Sequence, residues 1–300
     1  MNWRLIFVGA FLLIIFASLF FYMLPTNPVS FEVKYNNTNF SIDGSSVMQY
    51  YPNMRFSSPD ISYRISSTCP LQKQNDMENA FTIMENLTPL VFYPVDNNEE
   101  ITVTCEDRNQ IENGMFVAGE GGPKQIIVAG NFNIITSGEI LLIRNSDCPK
   151  PNIAIHELLH VLGFNHSVNP ANIMYNVSNC DQTIGDDTLK LLNDLYSIPS
   201  YPDLIFENAS ATMSGRFLNL DMNILNVGLA DANSSDVAIY ADNNLIRKID
   251  INPVEIGNGI SLHISNIWVA QLNVNNINLV IETNFSEINK ENNKITLGIR

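Results

Sequence analysis

Hydrophobic positions fall into three regimes along the chain. Residues 5–24, LIFVGAFLLIIFASLFFYML, form an unbroken run of apolar and small residues with Arg4 on its leading side. Such a length matches the hydrocarbon thickness of a bilayer when helical. The run ends in Phe20-Phe21-Tyr22-Met23-Leu24 before Pro25, not in a small-residue cleavage site, so it predicts a transmembrane signal anchor. A cleaved, secreted form is the alternative. By the positive-inside rule Arg4 stays within the cell and the remainder is outside. Residues 25–57 are polar and without periodicity, and are expected to be a juxtamembrane stalk.

Helical and strand periods then alternate. Ile61–Ile65 and Ile101–Cys105 alternate as strands should. A helix over about Gln72–Asn86 places Met77, Ala80, Phe81 and Met84 on one face. The run Gly119–Gly122 is expected to be a loop, followed by strands over Gln125–Ala129 and Glu139–Arg144. Cys148-Pro149-Lys150-Pro151 interrupts the chain before a helix with Asn152 as its expected N-cap. A closing helix over Asp186–Tyr196 buries Leu189, Leu192 and Leu195 and leads into the proline-marked linker Ile198–Pro202. From Tyr201 onward, short alternating strands separated by Asn, Asp and Gly turns predict an all-β sandwich.

The candidate chemistry lies in one window. The whole chain has 4 histidines, and three of them occur in His156-Glu157-Leu158-Leu159-His160-Val161-Leu162-Gly163-Phe164-Asn165-His166. On a helix His156 and His160 stand four apart and leave the same face. Gly163 can take the positive φ that ends a helix, which lets His166 return to the same point. Three imidazoles with a fourth position open to water describe a catalytic zinc ion, since structural zinc sites are closed by four protein ligands. Glu157, beside the first ligand, is the candidate catalytic base. The fourth histidine, His263, lies between Leu262 and Ile264 on the polar face of an expected strand and is read as a surface residue.

Composition narrows the setting. A net charge of −15 and a pI near 4.5, without a basic stripe, exclude a nucleic-acid partner. The length suggests two domains. Four cysteines, Cys69, Cys105, Cys148 and Cys180, suit an oxidising compartment.

The histidine window with its glycine and third histidine resembles the metzincin zinc metalloproteases. The passage Leu87-Thr88-Pro89-Leu90-Val91-Phe92 is similar to the matrixin subgroup, so the likeness covers about residues 58–198. It implies an α+β domain, a twisted sheet with the zinc helix packed on it. It also implies that Met174, in Ile173-Met174-Tyr175, forms the methionine turn beneath the metal, and that the strand beginning at Gln125 is the edge along which an extended peptide lies. No Pro-Arg-Cys-Gly latency switch is present.

Of three possible cysteine pairings we expect Cys69–Cys105 and Cys148–Cys180, the second closing the loop that holds both the zinc helix and the methionine turn. The segments Pro202-Asp203-Leu204, Asn226-Val227-Gly228, Val237–Leu245, Gly257 and 287–293 resemble the CARDB module, an Ig-like domain of surface proteins.

The expected organisation is therefore an anchor at 5–24, a stalk at 25–57, a catalytic domain at 58–198 and a β-sandwich at 201–300. The expected activity is zinc-dependent hydrolysis of peptide bonds in extracellular proteins, with one catalytic Zn2+ and calcium left open. The alternative is a non-catalytic adhesion or binding protein. Partners would be a protein or peptide substrate, the membrane, and a surface partner for the sandwich.

Overall fold

The computed structural model describes residues 3–23, 28–33, 45–108, 110–112, 115–145 and 148–300. Helix α1 runs Trp3–Met23. The side chains of Leu5 and of residues 20–23, and all of Leu24, fall outside the described set, and among the described residues no helix is long and apolar enough to cross a membrane. The structure therefore does not by itself support the expected spanning anchor. Most of the middle of the expected stalk, residues 34–44, is also outside the described residues.

The rest of that stalk is not a plain tether. Strand β1, Val29–Val33, joins the C-terminal sheet, and the short helix α2, Ser45–Met48, precedes a brace against the histidine window. Gln49 pairs with Phe164, Tyr50 N–H donates to Gly163 O at 3.0 Å, and Asn165 N–H donates to Met48 O at 2.8 Å. The segment's polar composition concealed both roles, because its partners are distant in sequence.

The N-terminal sheet comprises β2 (Met54–Phe56), β3 (Asp60–Ile65), β4 (Val91–Pro94), β5 (Ile101–Cys105), β8 (Gly119–Ala129) and β9 (Phe132–Leu142), with helix α3, Leu71–Leu87, between β3 and β4. The small hairpin β6–β7, Ile111–Glu112 with Met115–Phe116, stands apart. Strands β2, β3, β4, β5 and β9 run in the order β2-β9-β5-β3-β4, with parallel pairing throughout. Strand β8 alone is antiparallel, paired along β9. The expected glycine loop at 119–122 is thus the first part of β8, and both hairpin strands are longer than their sequence pattern suggested.

Helices α4 (Asn152–Val161) and α5 (Asp186–Ser197) complete this unit. Asn152 is the first residue of α4, not its cap, and its amide donates to Asn179 O at 2.8 Å. In α5 the buried face comprises Thr188, Leu191, Leu192, Leu195 and Tyr196, and Leu189 is only half-buried. Phe56, Ile61, Phe81, Val103, Leu158, Leu159 and Leu195 all belong to one apolar core. Disulfides Cys69–Cys105 and Cys148–Cys180 join as expected, and each closes a loop that would contribute about 3–4 kcal/mol in the chain-entropy treatment.

Strands β10 (Leu204–Ser214), β11 (Phe217–Asn226), β12 (Ser235–Ala241), β13 (Asn244–Ile251), β14 (Gly259–Trp268), β15 (Asn276–Glu282) and β16 (Lys294–Ile299) form the C-terminal unit. With β1 they make one hydrogen-bonded path, β13-β12-β15-β16-β1-β10-β11-β14, wrapped around a core that includes Phe31, Leu204, Leu220, Ile239 and Leu297. β1 lies between β16 and β10 and is antiparallel to both. The N-terminal segment thus joins two halves that would otherwise each end in an open edge, and the chain passes through the sandwich before entering the histidine-bearing unit.

Three of the segments that resemble CARDB, at 202–204, 226–228 and 287–293, meet in one polar network. Buried Asn226 accepts from Asp203 N–H and Gly228 N–H, both at 3.1 Å. Glu287 accepts from Leu204 N–H at 3.0 Å, and Asn292 donates to Asp203 at 2.9 Å.

The two units dock through the tip of the β8–β9 hairpin. Ala129, Phe132 and Ile134 pack with Leu229, Ile198, Ile256 and Ile288. Gly130 is required by geometry: its φ is 55°, and an added Cβ would stand 2.7 Å from Val227 Cβ. Across the linker, Arg55 is almost fully buried. It donates to the carbonyls of Leu195, Ile198, Phe56 and Ser57, and its guanidinium lies 4.3 Å from the Tyr196 ring centre.

Arg55→Met removes these donors while keeping most of the volume, leaving buried carbonyls without partners at about 1–3 kcal/mol each. Denaturant unfolding of this variant should show a loss of stability on the order of 3 kcal/mol or more. A change below about 1 kcal/mol would mean that these bonds do not hold the linker to the first strand.

Candidate metal centre and active site

Helix α4 carries His156, Glu157 and His160 toward the sheet, and every residue from Ala154 to Val161 is buried. Gly163, at φ 93°, turns the chain beneath Met54 and returns His166 to the same point. The Nε2 of His160 lies 3.0 Å from that of His156 and 3.2 Å from that of His166. Among the described residues these three form the one cluster of potential metal ligands.

The imidazoles are also oriented from behind. His156 Nδ1 is 2.6 Å from Ile173 O, and His160 Nδ1 is 2.8 Å from Phe164 O. A carbonyl can only accept, so both protons sit on Nδ1 and both Nε2 lone pairs face inward. A tetrahedral zinc with bonds of about 2.0–2.1 Å needs ligand nitrogens about 3.3 Å apart, which these spacings approach. Converging lone pairs repel one another unless a cation lies between them. The donor set therefore fits zinc.

Tyr50 is a functional candidate that the sequence reading missed. Its hydroxyl is 2.8 Å from His160 Nδ1, sharing that N–H with Phe164 O, and its ring stacks on the imidazole at 6.0 Å. No local signal marks it, since 110 residues separate the pair. Met174 is buried, one residue past the carbonyl that holds His156, and its own carbonyl accepts from Ser167 N–H at 2.8 Å. The Cys148–Cys180 disulfide brackets the three histidines, Glu157 and Met174.

Glu157 is buried against β8. An added Cβ at Gly121 would lie 2.3 Å from Glu157 O, and one at Gly119 would lie 2.8 Å from Glu157 Cγ. The glycine run is therefore what lets the edge strand pass directly over the acid. These residues border a cleft of about 1070 Å³, with Phe116, Arg144 and Val177 also on its walls. A smaller cavity of about 500 Å³ on the sheet, lined by Thr102, Thr104 and Glu139, contains none of the histidines. The remaining histidine, His263, is exposed in the sandwich and paired with Asp221 at 2.5 Å, as a surface residue.

Burial, and then the neighbouring Glu120 charge, push the Glu157 carboxyl up to about 8. Burial lowers all three imidazoles, and His160, which also faces His156, falls to about 4. A dication inverts this local logic by favouring the ionised carboxylate.

With this geometry in place, the family comparisons agree with the resemblance. Residues 55–197 match the matrixin family, Peptidase_M10, and residues 201–297 match the CARDB family. The chain thus carries a matrixin domain, a metalloprotease at the level of the family, joined to a CARDB domain. A solved structure, the CARDB domain of a Pyrococcus furiosus protein in complex with di-metal ions, is similar at 18% identity over 32% of this chain and 89% of that one, with a TM-score of 0.27. No curated protein matches the chain.

The pKa pattern gives a test in metal-free protein. Glu157 binds its proton more tightly folded, near 8, than at its ordinary value of 4.5. Between those values the folded state holds the extra proton, so stability falls as pH rises. The histidine contribution has the opposite sign and operates below 6.5. From about pH 6.5 to 8 the melting temperature of metal-free protein should therefore decline, and Glu157→Gln should flatten the decline. An identical decline in the variant would place its cause elsewhere.

Proposed function

We propose that this chain is a zinc-dependent endopeptidase held at the cell membrane by its N-terminal apolar helix, with both folded domains outside. The observation that carries the enzymatic reading is the convergence of three inward-facing imidazole nitrogens beside a buried carboxylate in an open cleft. His156, His160 and His166 would hold the metal. Zinc held there would supply a Lewis acid and an acidified water. Glu157 would serve as the proton-holding group beside it, accepting a proton at its carboxylate and returning one to the departing amine. Met174 would form the floor of the site.

Strand β8 supplies the means of holding a substrate. It is paired on one side with β9, and an extended peptide can add to its other side through backbone hydrogen bonds. Such binding orients a main chain with little demand on side-chain identity, which suits a protein substrate. The anchor reading is supported by the composition of residues 5–24 and by Arg4 before them. The paired cysteines agree with an oxidising exterior.

Detergent-solubilised full chain should degrade an unfolded protein substrate, lose that activity to a zinc chelator and regain it when zinc is restored. Stoichiometric zinc without turnover would make the chain the binding protein that is the alternative reading. Recovery of the protein from culture medium with its first residues removed would overturn the anchor.

A further inference from the structure

The strand registers define two ends of the sandwich. One end receives the histidine-bearing unit: β10 begins there at Leu204, opposite Asn226, and the loops bearing Leu229, Ile256 and Ile288 cover the β8–β9 hairpin. The other end collects Val29 opposite Met213, Phe217 opposite Trp268, Asn276 opposite Gly298, and the β12–β13 turn next to Ala241 and Asn244.

Large exposed apolar side chains are not distributed evenly between these ends. In residues 201–300 they are Tyr201, Phe217, Leu245, Trp268, Leu272 and Ile299. Tyr201 lies at the docked end. The others lie at the far end: Leu245 beside the β12–β13 turn, Leu272 in the β14–β15 connection, and Ile299 opposite Phe31. Trp268 and Phe217 are at least half exposed, at 58% and 50%. Arg216 stands beside them, with its guanidinium 5.9 Å from the Trp268 ring centre.

The chain itself indicates what meets this end. Val29, the first residue of β1, lies six positions after Met23, the last residue of the apolar helix, and six residues reach at most about 20 Å. The far end is therefore tied close to wherever α1 sits. Tryptophan, phenylalanine and arginine are suited to the boundary between headgroups and hydrocarbon, where one part of the side chain is apolar and another polar.

We propose that this end of the sandwich, centred on Trp268, Phe217 and Leu272, rests on the lipid surface. This rests on the anchor reading given under Proposed function. The sandwich then serves as a spacer. Strand β10 spans 11 residues from the docked end to the lipid end, about 30 Å at about 3.3 Å per residue, which sets the zinc cleft back from the bilayer.

Trp3 and Trp268 are the only tryptophans, so Trp3→Phe leaves Trp268 as the sole reporter. The full-length variant is reconstituted into phosphatidylcholine vesicles, with and without lipids brominated near the headgroup end of the acyl chain. The proposal expects co-flotation with vesicles, blue-shifted Trp268 emission, and loss of most of that emission on bromination. Co-flotation with unquenched emission at a water-like wavelength overturns the surface and leaves the anchor standing. Blue-shifted but unquenched emission also overturns it, because protein and not lipid then covers Trp268. Failure to float overturns the anchor and the surface with it.

Discussion

Three imidazoles crowded at one point, with His160 Nε2 3.0 Å from that of His156 and 3.2 Å from that of His166, are the constraint around which the histidine-bearing unit is built. The outward protons of His156 and His160 are held by backbone carbonyls, those of Ile173 and Phe164. Those carbonyls are themselves fixed. Phe164 belongs to the turn braced by residues 48–50, and Ile173 lies inside the loop closed by Cys148–Cys180. The disulfide, the upstream brace and the Gly163 turn thus serve one purpose, which is to hold neutral imidazoles in a geometry that favours a cation.

The same logic links the site to its surroundings. Glu157 can be buried next to the histidines because β8 contributes glycines where it crosses α4. That strand then continues into a hairpin whose tip is docked on the sandwich. The edge that would receive substrate is therefore supported at its distal end by the second domain. Since β1 also closes the sandwich from the N-terminal side, neither unit is a simple appendage of the other.

Much of the site was legible because its chemistry is local. His156, Glu157 and His160 share a helical turn, and Gly163 explains the return of His166 without reference to the rest of the molecule. The cysteine pairing followed from which loop needed closing. The misreadings have a common cause in long-range pairing. Gly119–Gly122 has poor strand propensity and becomes strand only because β9 pairs with it and α4 leaves no room for side chains. Val29–Val33 is too short and too mixed to announce a strand, yet it is held between two distant partners. Tyr50 reaches His160 through a fold that brings the upstream segment back, which no periodicity records. Asn152 looked like a cap but spends its amide on Asn179 instead.

The central claim is that metal holding and proton transfer are divided between neighbouring residues of one helix. Zinc content and peptide hydrolysis measured together on Glu157→Gln separate the two functions, because the substitution keeps the side-chain size and leaves all three histidines in place. The account predicts one zinc per chain, as in the parent, with turnover reduced by about 10²–10⁴ or more, the contribution expected of a positioned general base. A variant that keeps its zinc and cleaves peptides at nearly the parent rate would contradict it.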